Sequence, residues 1–360
     1  MEQTLKGTII YGDEFEPLDG YITIENGIIK NVEESTVTTD TIIAPCFVNA
    51  HTHIGDSVIK DPPYLPLAEL VQPPHGLKHR ILQETPYSDI VASMRASISD
   101  MIKTGTCAFA DFREGGVAGV KALKEALKTP HKTPYLNTGT GTGHSILATI
   151  LGRPANEDMS YLDLCDGTGL SSTSDLELEI IKGITRKTKE KRKKFAIHAG
   201  EMDSSDIASA IELQPDFLVH LTHAGKKEIK AVASADIPVV ICLRSNLLTR
   251  SGLPPLQKML DEEILVAVGT DNVMLNSVNM FSEMEFLAKT NLYDDRQVFK
   301  LCTLNGAKML GLDEELGSIK NGKKAKLMIL SKKSNNMQGI RNPLSSLVRR
   351  ARPDDIIGII

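Results

Sequence analysis

Short apolar runs alternate with amphipathic segments through the middle of this 360-residue chain, and strand-like runs lie at both ends. A repeated strand–helix order over this length is typical of a parallel sheet closed into a barrel. Asn-Gly pairs at 26–27 and 321–322 indicate hairpins near both termini. The sequence therefore predicts the α/β class, a (β/α)8 TIM barrel with a small β domain built from both termini.

The two ends of the chain are predicted to be strands separated by turns. Candidate strands are LKGTIIYG (5–12), LDGYITIENGIIKNVE (18–33), DTIIAPC (40–46) and LGSIKNGKKAKLMILSK (316–332). We expect the last of these to return and pack on the first three. The predicted division is 1–45 and 314–360 for the β domain and 46–313 for the barrel.

Eight apolar runs are the predicted barrel strands. In chain order they are FVNAHTH (47–53), TCAFADF (106–112), TPYLNTG (133–139), YLDLCDGTGL (161–170), KFAIHAGE (194–201), DFLVHLTHA (216–224), IPVVICLRSN (237–246) and ILVAVGTDN (264–272). Near-continuous apolar runs suit strands buried on both faces. Helical patterns such as 87–105 and 228–236 lie between most of them.

Composition narrows the class of protein. With 41% hydrophobic and 24% charged residues, the chain has the make-up of a soluble globular protein. Its net charge of −5 argues against a nucleic-acid or anionic-membrane partner. No apolar run approaches the ~18 residues of a membrane span, and no signal pattern opens the chain, so we expect a cytoplasmic protein. Five scattered cysteines without a CxxC motif predict buried thiols.

Polar residues that could carry chemistry follow the apolar runs. They are His51, His53, His198, Glu201, His220, His223 and Asp271. Catalytic groups of a parallel barrel lie at the carboxyl ends of its strands, so these side chains should meet at one mouth.

His51 and His53 are two residues apart on one strand, so both imidazoles face the same side and could bind one metal ion. His198 would add a third nitrogen and Asp271 a carboxylate, a set suited to zinc or ferrous iron. Simpler alternatives are strand-end hydrogen bonds for the histidine pair and a helix N-cap for Asp271. His220 should project inward, whereas His223 should lie on the following loop.

The motifs PCFVNAHTH, HAGE, VHLTH, CLRSN and GTDN, with the tail LGSIKNGKKAKLMIL, resemble the amidohydrolase superfamily. The chlorohydrolase/deaminase branch, with its S-adenosylhomocysteine, guanine and cytosine deaminases, is the most similar. The resemblance implies a distorted (β/α)8 barrel with a composite β-sandwich. It also implies one divalent ion per subunit, Zn²⁺ in preference to Fe²⁺, held by His51, His53, His198 and Asp271.

The same resemblance implies catalytic roles. Glu201 would carry a proton to the substrate nitrogen, His220 would orient the attacking hydroxide, and Asp271 would accept its proton. No lysine ends the fourth predicted strand, which favours one metal over two. Leu170 stands where adenosine-type deaminases carry a histidine, which argues against such substrates. The chain also ends at DDIIGII, earlier than most relatives, so a shortened sandwich is expected.

Five residues are predicted substrate contacts because they lie on segments beyond the strand ends: Glu69, Arg113, Arg244, Asn246 and Asn272. The long segment after the first strand should line the site. Glu69, Lys78 and His79 of that segment could equally be surface residues, Arg113 could pair with Glu114, and Asn272 could cap a helix.

The resulting hypothesis is a metal-dependent hydrolase of non-peptide C–N bonds that deaminates a purine, pyrimidine, pterin or nucleoside-like substrate. The expected partner is a small heterocyclic substrate, and the expected assembly is a dimeric or tetrameric homo-oligomer. One alternative is a chlorohydrolase or N-alkylamine hydrolase acting on an s-triazine-like ring. Another is a non-catalytic metal-binding barrel with a structural or regulatory role.

Overall fold

The computed structural model describes residues 2–128, 145–154, 158–174, 176–290 and 294–360. Its strands form one sheet of six strands and one of nine. The chain passes from the first sheet to the second at Cys46, between a strand that ends at Pro45 and one that begins at Phe47.

The six-stranded sheet combines both ends of the chain. Its strands, in sheet order, are β15 (Ile356–Ile359), β14 (Leu327–Ser331), β4 (Thr41–Pro45), β1 (Glu2–Tyr11), β2 (Glu16–Glu25) and β3 (Ile28–Glu34). The antiparallel β2–β3 hairpin turns at Asn26 and Gly27, whose φ angles of 52° and 78° are those of a tight hairpin turn. Isoleucines of β1–β4 pack with Leu327 in the core beside this sheet.

The nine-stranded sheet is parallel throughout its pairs. In chain order its strands are β5 (Phe47–His53), β6 (Thr106–Arg113), β7 (Leu147–Gly152), β8 (Gly167–Leu170), β9 (Lys194–Ala199), β10 (Phe217–His220), β11 (Val239–Ile241), β12 (Val266–Val268) and β13 (Asp271–Asn272). All eight residues of β6 are buried, as expected for a strand covered on both faces.

The nine-stranded sheet curls back on itself. Its edge strands β12 and β13 are separated in the chain only by Gly269 and Thr270, and β13 pairs with the first strand, β5. A Cβ on Gly269 would lie 2.7 Å from the backbone oxygen of His51, so only glycine allows this approach. The curl brings Asp271 next to the histidines of β5.

Helices alternate with the strands of the larger sheet. They are α1 (Leu67–Val71), α2 (Leu77–Glu84), α3 (Tyr87–Lys103), α4 (Gly116–Leu127), α5 (Leu178–Glu190), α6 (Ile207–Glu212), α7 (Lys226–Ser234), α8 (Leu243–Thr249), α9 (Leu256–Asp261), α10 (Met280–Lys289), α11 (Asp295–Cys302), α12 (Leu304–Leu310) and α13 (Pro343–Arg350). Short 3₁₀ turns cover Ile54–Val58, Ser160–Leu164 and Pro353–Asp355. Across the described ranges, no helix combines the length and apolarity needed to cross a membrane.

The mixed α/β class, with a curled parallel sheet and a separate second sheet, confirms the predicted class. The third predicted strand, 133–139, lies outside the described residues, and β7 occupies the third place in the sheet. Residues 161–170 divide into a 3₁₀ turn and β8, and 237–246 divide into β11 and the start of α8. All five cysteines are buried free thiols, as predicted.

Candidate metal centre

Four side chains from three strands meet at the carboxyl end of the curled sheet. His198 Nε2 lies 3.1 Å from His51 Nε2 and 3.4 Å from His53 Nε2. Asp271 Oδ1 lies 3.3 Å from His51 Nε2 and 3.6 Å from His53 Nε2. All four residues are buried, and they form a cluster whose ligand atoms could hold one metal ion.

Backbone carbonyls set which imidazole nitrogens face one another. Nδ1–H of His53 donates to the Phe112 carbonyl at 3.1 Å, and Nδ1–H of His198 donates to the Leu170 carbonyl at 2.8 Å. Each Nε2 therefore carries a lone pair directed into the cluster. Two lone pairs at 3.4 Å repel each other in a buried space, and a cation between them removes that repulsion.

The spacing of the ligand atoms fits a tetrahedral ion. Four ligands about 2.05 Å from a zinc ion are about 3.3 Å from one another. Four of the six distances between the ligand atoms range from 3.1 to 3.6 Å, and all six are within 4.8 Å. Burial lowers the pKa of all three histidines, to about 3 for His53, so each is neutral and in the form that binds metal.

Asp271 is held as a carboxylate beside the histidines. Ser245 Oγ donates to its Oδ2 at 2.6 Å, and Asn272 Nδ2 donates to its Oδ1 at 3.0 Å. Burial raises the pKa of Asp271, but the adjacent His51 imidazole and the charge of His220 outweigh it and hold that pKa well below its usual range. Asp271 lies in β13 and the next helix, α10, is capped by Asn279, so Asp271 is not a helix N-cap.

Glu201 and His220 lie side by side next to this cluster. His220 Nε2 is 3.5 Å from Glu201 Oε2, and its Nδ1 is 3.1 Å from Asn246 Oδ1. The amide nitrogen of Asn246 donates to Thr222 at 2.8 Å, which directs its oxygen toward His220. Burial raises the pKa of Glu201, so its protonated form is favoured more than that of an ordinary glutamate.

His220 and Asp271 have backbone conformations that L-residues adopt rarely, with φ angles of 78° and 60°. Strain of this kind persists where the surrounding fold fixes the residue, and it concentrates at functional sites.

A cavity of about 220 Å³ opens next to the cluster. Its lining includes His198 and Glu201, an apolar side from α1 (Leu67, Ala68 and Val71), and a polar side from the segments after β8 and β9 (Ser171, Ser172, Ser174, Asp203, Ser205 and Asp206). The segment after the first barrel strand therefore lines the cavity, as expected from the sequence.

The amidohydrolase family model matches residues 42–360. The chain belongs to the amidohydrolase family. An uncharacterized protein of Methanocaldococcus jannaschii is 35% identical over 381 residues, which cover 98% of this chain and 96% of that protein. A 5-methylthioadenosine/S-adenosylhomocysteine deaminase of Moorella thermoacetica is 26% identical over 374 residues, 94% of this chain and 85% of that protein.

A solved structure shows that the fold is shared. The crystal structure of an atrazine chlorohydrolase of Arthrobacter aurescens, complexed with zinc, matches with a TM-score of 0.81 and 16% identity over 98% of this chain and 92% of that one. The predicted resemblance is thus confirmed, and the chain is a hydrolytic enzyme of C–N bonds other than peptide bonds.

Two predicted substrate contacts of this amidohydrolase lie apart from the cavity. Glu69 is on the exposed side of α1 and is not part of the cavity lining. Arg244 Nε donates to Glu283 Oε1 at 2.7 Å, and its Nη2 donates to the Ser277 carbonyl at 2.7 Å. These partners direct Arg244 toward α10, so the geometry does not favour substrate contact by either residue.

The other three are buried and are also not part of the cavity lining, and only Asn246 and Asn272 contact catalytic candidates. Asn246 contacts His220, as described above, and Asn272 contacts Asp271. Arg113 lies 3.2 Å from Asp111 Oδ1 and pairs with Glu114, which is the ion-pair alternative named for it. In this structure the three residues therefore hold other side chains of the site in position and do not line the cavity.

Sequence reasoning named Lys78 as a possible ligand contact or surface residue and Glu114 as an ion-pair partner of Arg113, but it did not predict that the two meet beside His53. Glu114 Oε1 lies 2.9 Å from His53 Nδ1, and Lys78 Nζ lies 2.5 Å from the same oxygen. A charged residue directly after a buried strand was the available signal for Glu114. Lys78 lies in a short amphipathic helix, where a lysine is ordinarily exposed, and gives no such signal.

Proposed function

We propose that this amidohydrolase is a metal-dependent aminohydrolase that deaminates an amino-heterocycle, with one Zn²⁺ per subunit held by His51, His53, His198 and Asp271. The main support is the set of inward-facing Nε2 lone pairs beside a carboxylate, at spacings that fit a tetrahedral ion. A zinc ion held there would lower the pKa of its bound water towards ~7 and so supply hydroxide at neutral pH.

The neighbouring side chains supply the proton transfers that deamination needs. Asp271 accepts a proton from the attacking water, and His220, fixed by Asn246, orients that water. Glu201, at the cavity wall, protonates the substrate ring nitrogen and then helps the amine leave as ammonia. One water is consumed, and the C–NH₂ group becomes a carbonyl.

The cavity wall indicates the kind of substrate. Three carboxylates, Glu201, Asp203 and Asp206, line it together with several serine hydroxyls. This lining favours a ring with a neutral, hydroxyl-bearing substituent, such as a nucleoside, over a phosphorylated one. The named relative that acts on 5-methylthioadenosine and S-adenosylhomocysteine supports a nucleoside-like substrate, whereas Leu170 argues against an adenosine-type base.

We also propose the domain division 1–45, 46–313 and 314–360, with a distorted (β/α)8 barrel and a composite β-sandwich. Support comes from the six-stranded sheet, whose strands lie within the two terminal segments. We further propose a cytoplasmic homo-oligomer, dimeric or tetrameric. Buried free thiols suit a reducing compartment, and exposed apolar side chains such as Leu253 and Phe286 are of the kind that subunit contacts cover.

Ammonia release by the zinc-loaded protein tests the function. The panel should pair nucleosides with their 5′-phosphates and include free aminopurines, cytosines and pterins. We expect ammonia from a neutral member of the panel and a 10²- to 10⁴-fold lower kcat in Glu201→Gln, with zinc content unchanged. Undiminished turnover in that variant, or release of chloride from a chloro-s-triazine without ammonia from any amine, would contradict the proposal.

A further inference from the structure

A lysine is buried behind the proposed metal ligands. Lys78 is 2% exposed. Its Nζ lies 2.5 Å from Glu114 Oε1, donates to Asn272 Oδ1 at 3.0 Å, and lies 3.8 Å from Asp56 Oδ2. The Glu114 carboxylate and the Asn272 amide oxygen thus compensate for the loss of water around the ammonium group.

The partners of Lys78 lead to two different metal ligands. Glu114 Oε1 is 2.9 Å from Nδ1 of His53, so the carboxylate lies against the edge of that imidazole that faces away from the cluster. Asn272 accepts from Lys78 and donates through Nδ2 to Asp271 Oδ1 at 3.0 Å. We call Lys78, Glu114 and Asn272 the lysine bridge, because they join His53 on β5 to Asp271 on β13.

Lys78 reaches this position from the segment that covers the cavity. It lies on α2, within residues 54–86 between β5 and α3, and the same segment contributes Leu67, Ala68 and Val71 of α1 to the cavity wall. If the segment moved outward, Lys78 would leave the bridge, and the Glu114 carboxylate would lose a neighbouring cation. The position of the segment and the orientation of the ligands are therefore linked.

We propose that Lys78 is a positioning residue that couples the seating of segment 54–86 over the cavity to the orientation of His53 and Asp271. This inference rests on the proposed metal site. Coupling between two sites is reciprocal, so metal binding should also hold the segment in place. The lysine acts through Glu114 and Asn272, without contact with the ion or the substrate.

Lys78→Met tests the proposal, because methionine keeps much of the side-chain volume but removes the charge. We expect zinc to bind 10- to 100-fold more weakly, measured by competition with a chromophoric chelator. Zinc should also protect residues 54–86 of the wild type from proteolysis and hydrogen exchange, and should not protect them in Lys78→Met. Arg80→Met is the matched control, since it removes an exposed charge from the same helix.

The outcomes separate this inference from the metal site itself. Equal zinc affinity and equal zinc-dependent protection in the wild type and Lys78→Met would overturn the role of Lys78 alone. A wild type that binds no zinc would overturn the metal site and this inference with it. If Lys78→Met does not fold, the test uses the wild type alone. Hydrogen exchange in residues 77–84 that does not change upon zinc binding would then overturn the coupling between the segment and the metal site.

Discussion

At the scale of single residues, the site depends on which nitrogen of each imidazole carries the proton. Backbone carbonyls of Phe112 and Leu170 accept from Nδ1 of His53 and His198, so the peptide backbone fixes both tautomers. Buried carboxylates then balance the buried cations nearby. Asp56 is one of the buried carboxyl groups whose charged form is disfavoured by burial.

Asp56→Asn should change how the stability of the protein depends on pH. Burial raises the pKa of Asp56 to about 8, although Lys78 and Arg113 oppose the shift and Glu114 adds to it. An unfolded aspartate has a pKa near 3.9. Between these values the folded state binds more protons, so the free energy of unfolding falls as pH rises from about 4 to about 8.

Asparagine cannot ionise, yet it can still accept from the Met274 amide, which donates to Asp56 at 3.0 Å. In Asp56→Asn we expect the free energy of unfolding to decrease less steeply with pH, by up to about 1.4 kcal/mol per pH unit. Urea unfolding of metal-free wild type and variant at a series of pH values measures this. Parallel curves for the two proteins would show that Asp56 does not hold a proton in the folded state.

The role of His51 could be predicted from the sequence, whereas the role of Lys78 could not. His51, His53, His198 and Asp271 each follow an apolar run, and parallel strands place such positions at one edge, so their meeting was predictable. The burial of Lys78 depends on Asn272, 194 residues away, and on Glu114. A contact between such distant segments leaves no local pattern in one sequence.

At the scale of elements, short strands place the proposed metal ligands, and surrounding helices keep the strands in position. The hairpin at 26–27 and most strands of both sheets follow from local patterns, because turn chemistry and apolar runs are short-range signals. The β7 strand was missed, since two neighbouring segments, 133–139 and 147–152, could each fill the third place. Helix α13 was also missed, because its few apolar residues lie in a tail that has hairpin character.

Leu347→Ala should show how far the packing of α13 affects the site. Leu347 is buried in the main core, and α13 packs against α10 and α11. We expect a loss of about 2–5 kcal/mol in the free energy of unfolding, with zinc affinity unchanged, because the cavity left lies away from the ligands. Denaturant unfolding and chelator competition measure the two quantities.

Ser346→Ala provides the comparison on the same helix, since it removes a half-buried hydroxyl without removing core volume. It should change the free energy of unfolding by less than about 1 kcal/mol. Loss of zinc binding by folded Leu347→Ala would show that α13 supports the metal ligands directly.

At the scale of the whole molecule, the curl of the nine-stranded sheet creates the site. His51 and Asp271 are 220 residues apart in the sequence (271 − 51), yet the β5–β13 pairing and the bare backbone of Gly269 bring them within 3.3 Å. The curled parallel sheet was predictable from the repeated strand–helix order. The close approach of Gly269 to His51 was not predictable, because it depends on the final curvature of the sheet.

Anomalous diffraction at the zinc edge, from crystals of the zinc-loaded protein, tests this arrangement most directly. We predict one strong peak per chain, about 2.0–2.2 Å from Nε2 of His51, His53 and His198 and from a carboxylate oxygen of Asp271. A zinc-loaded crystal whose peak lies elsewhere, with the four side chains more than a coordination distance from it, would contradict the account.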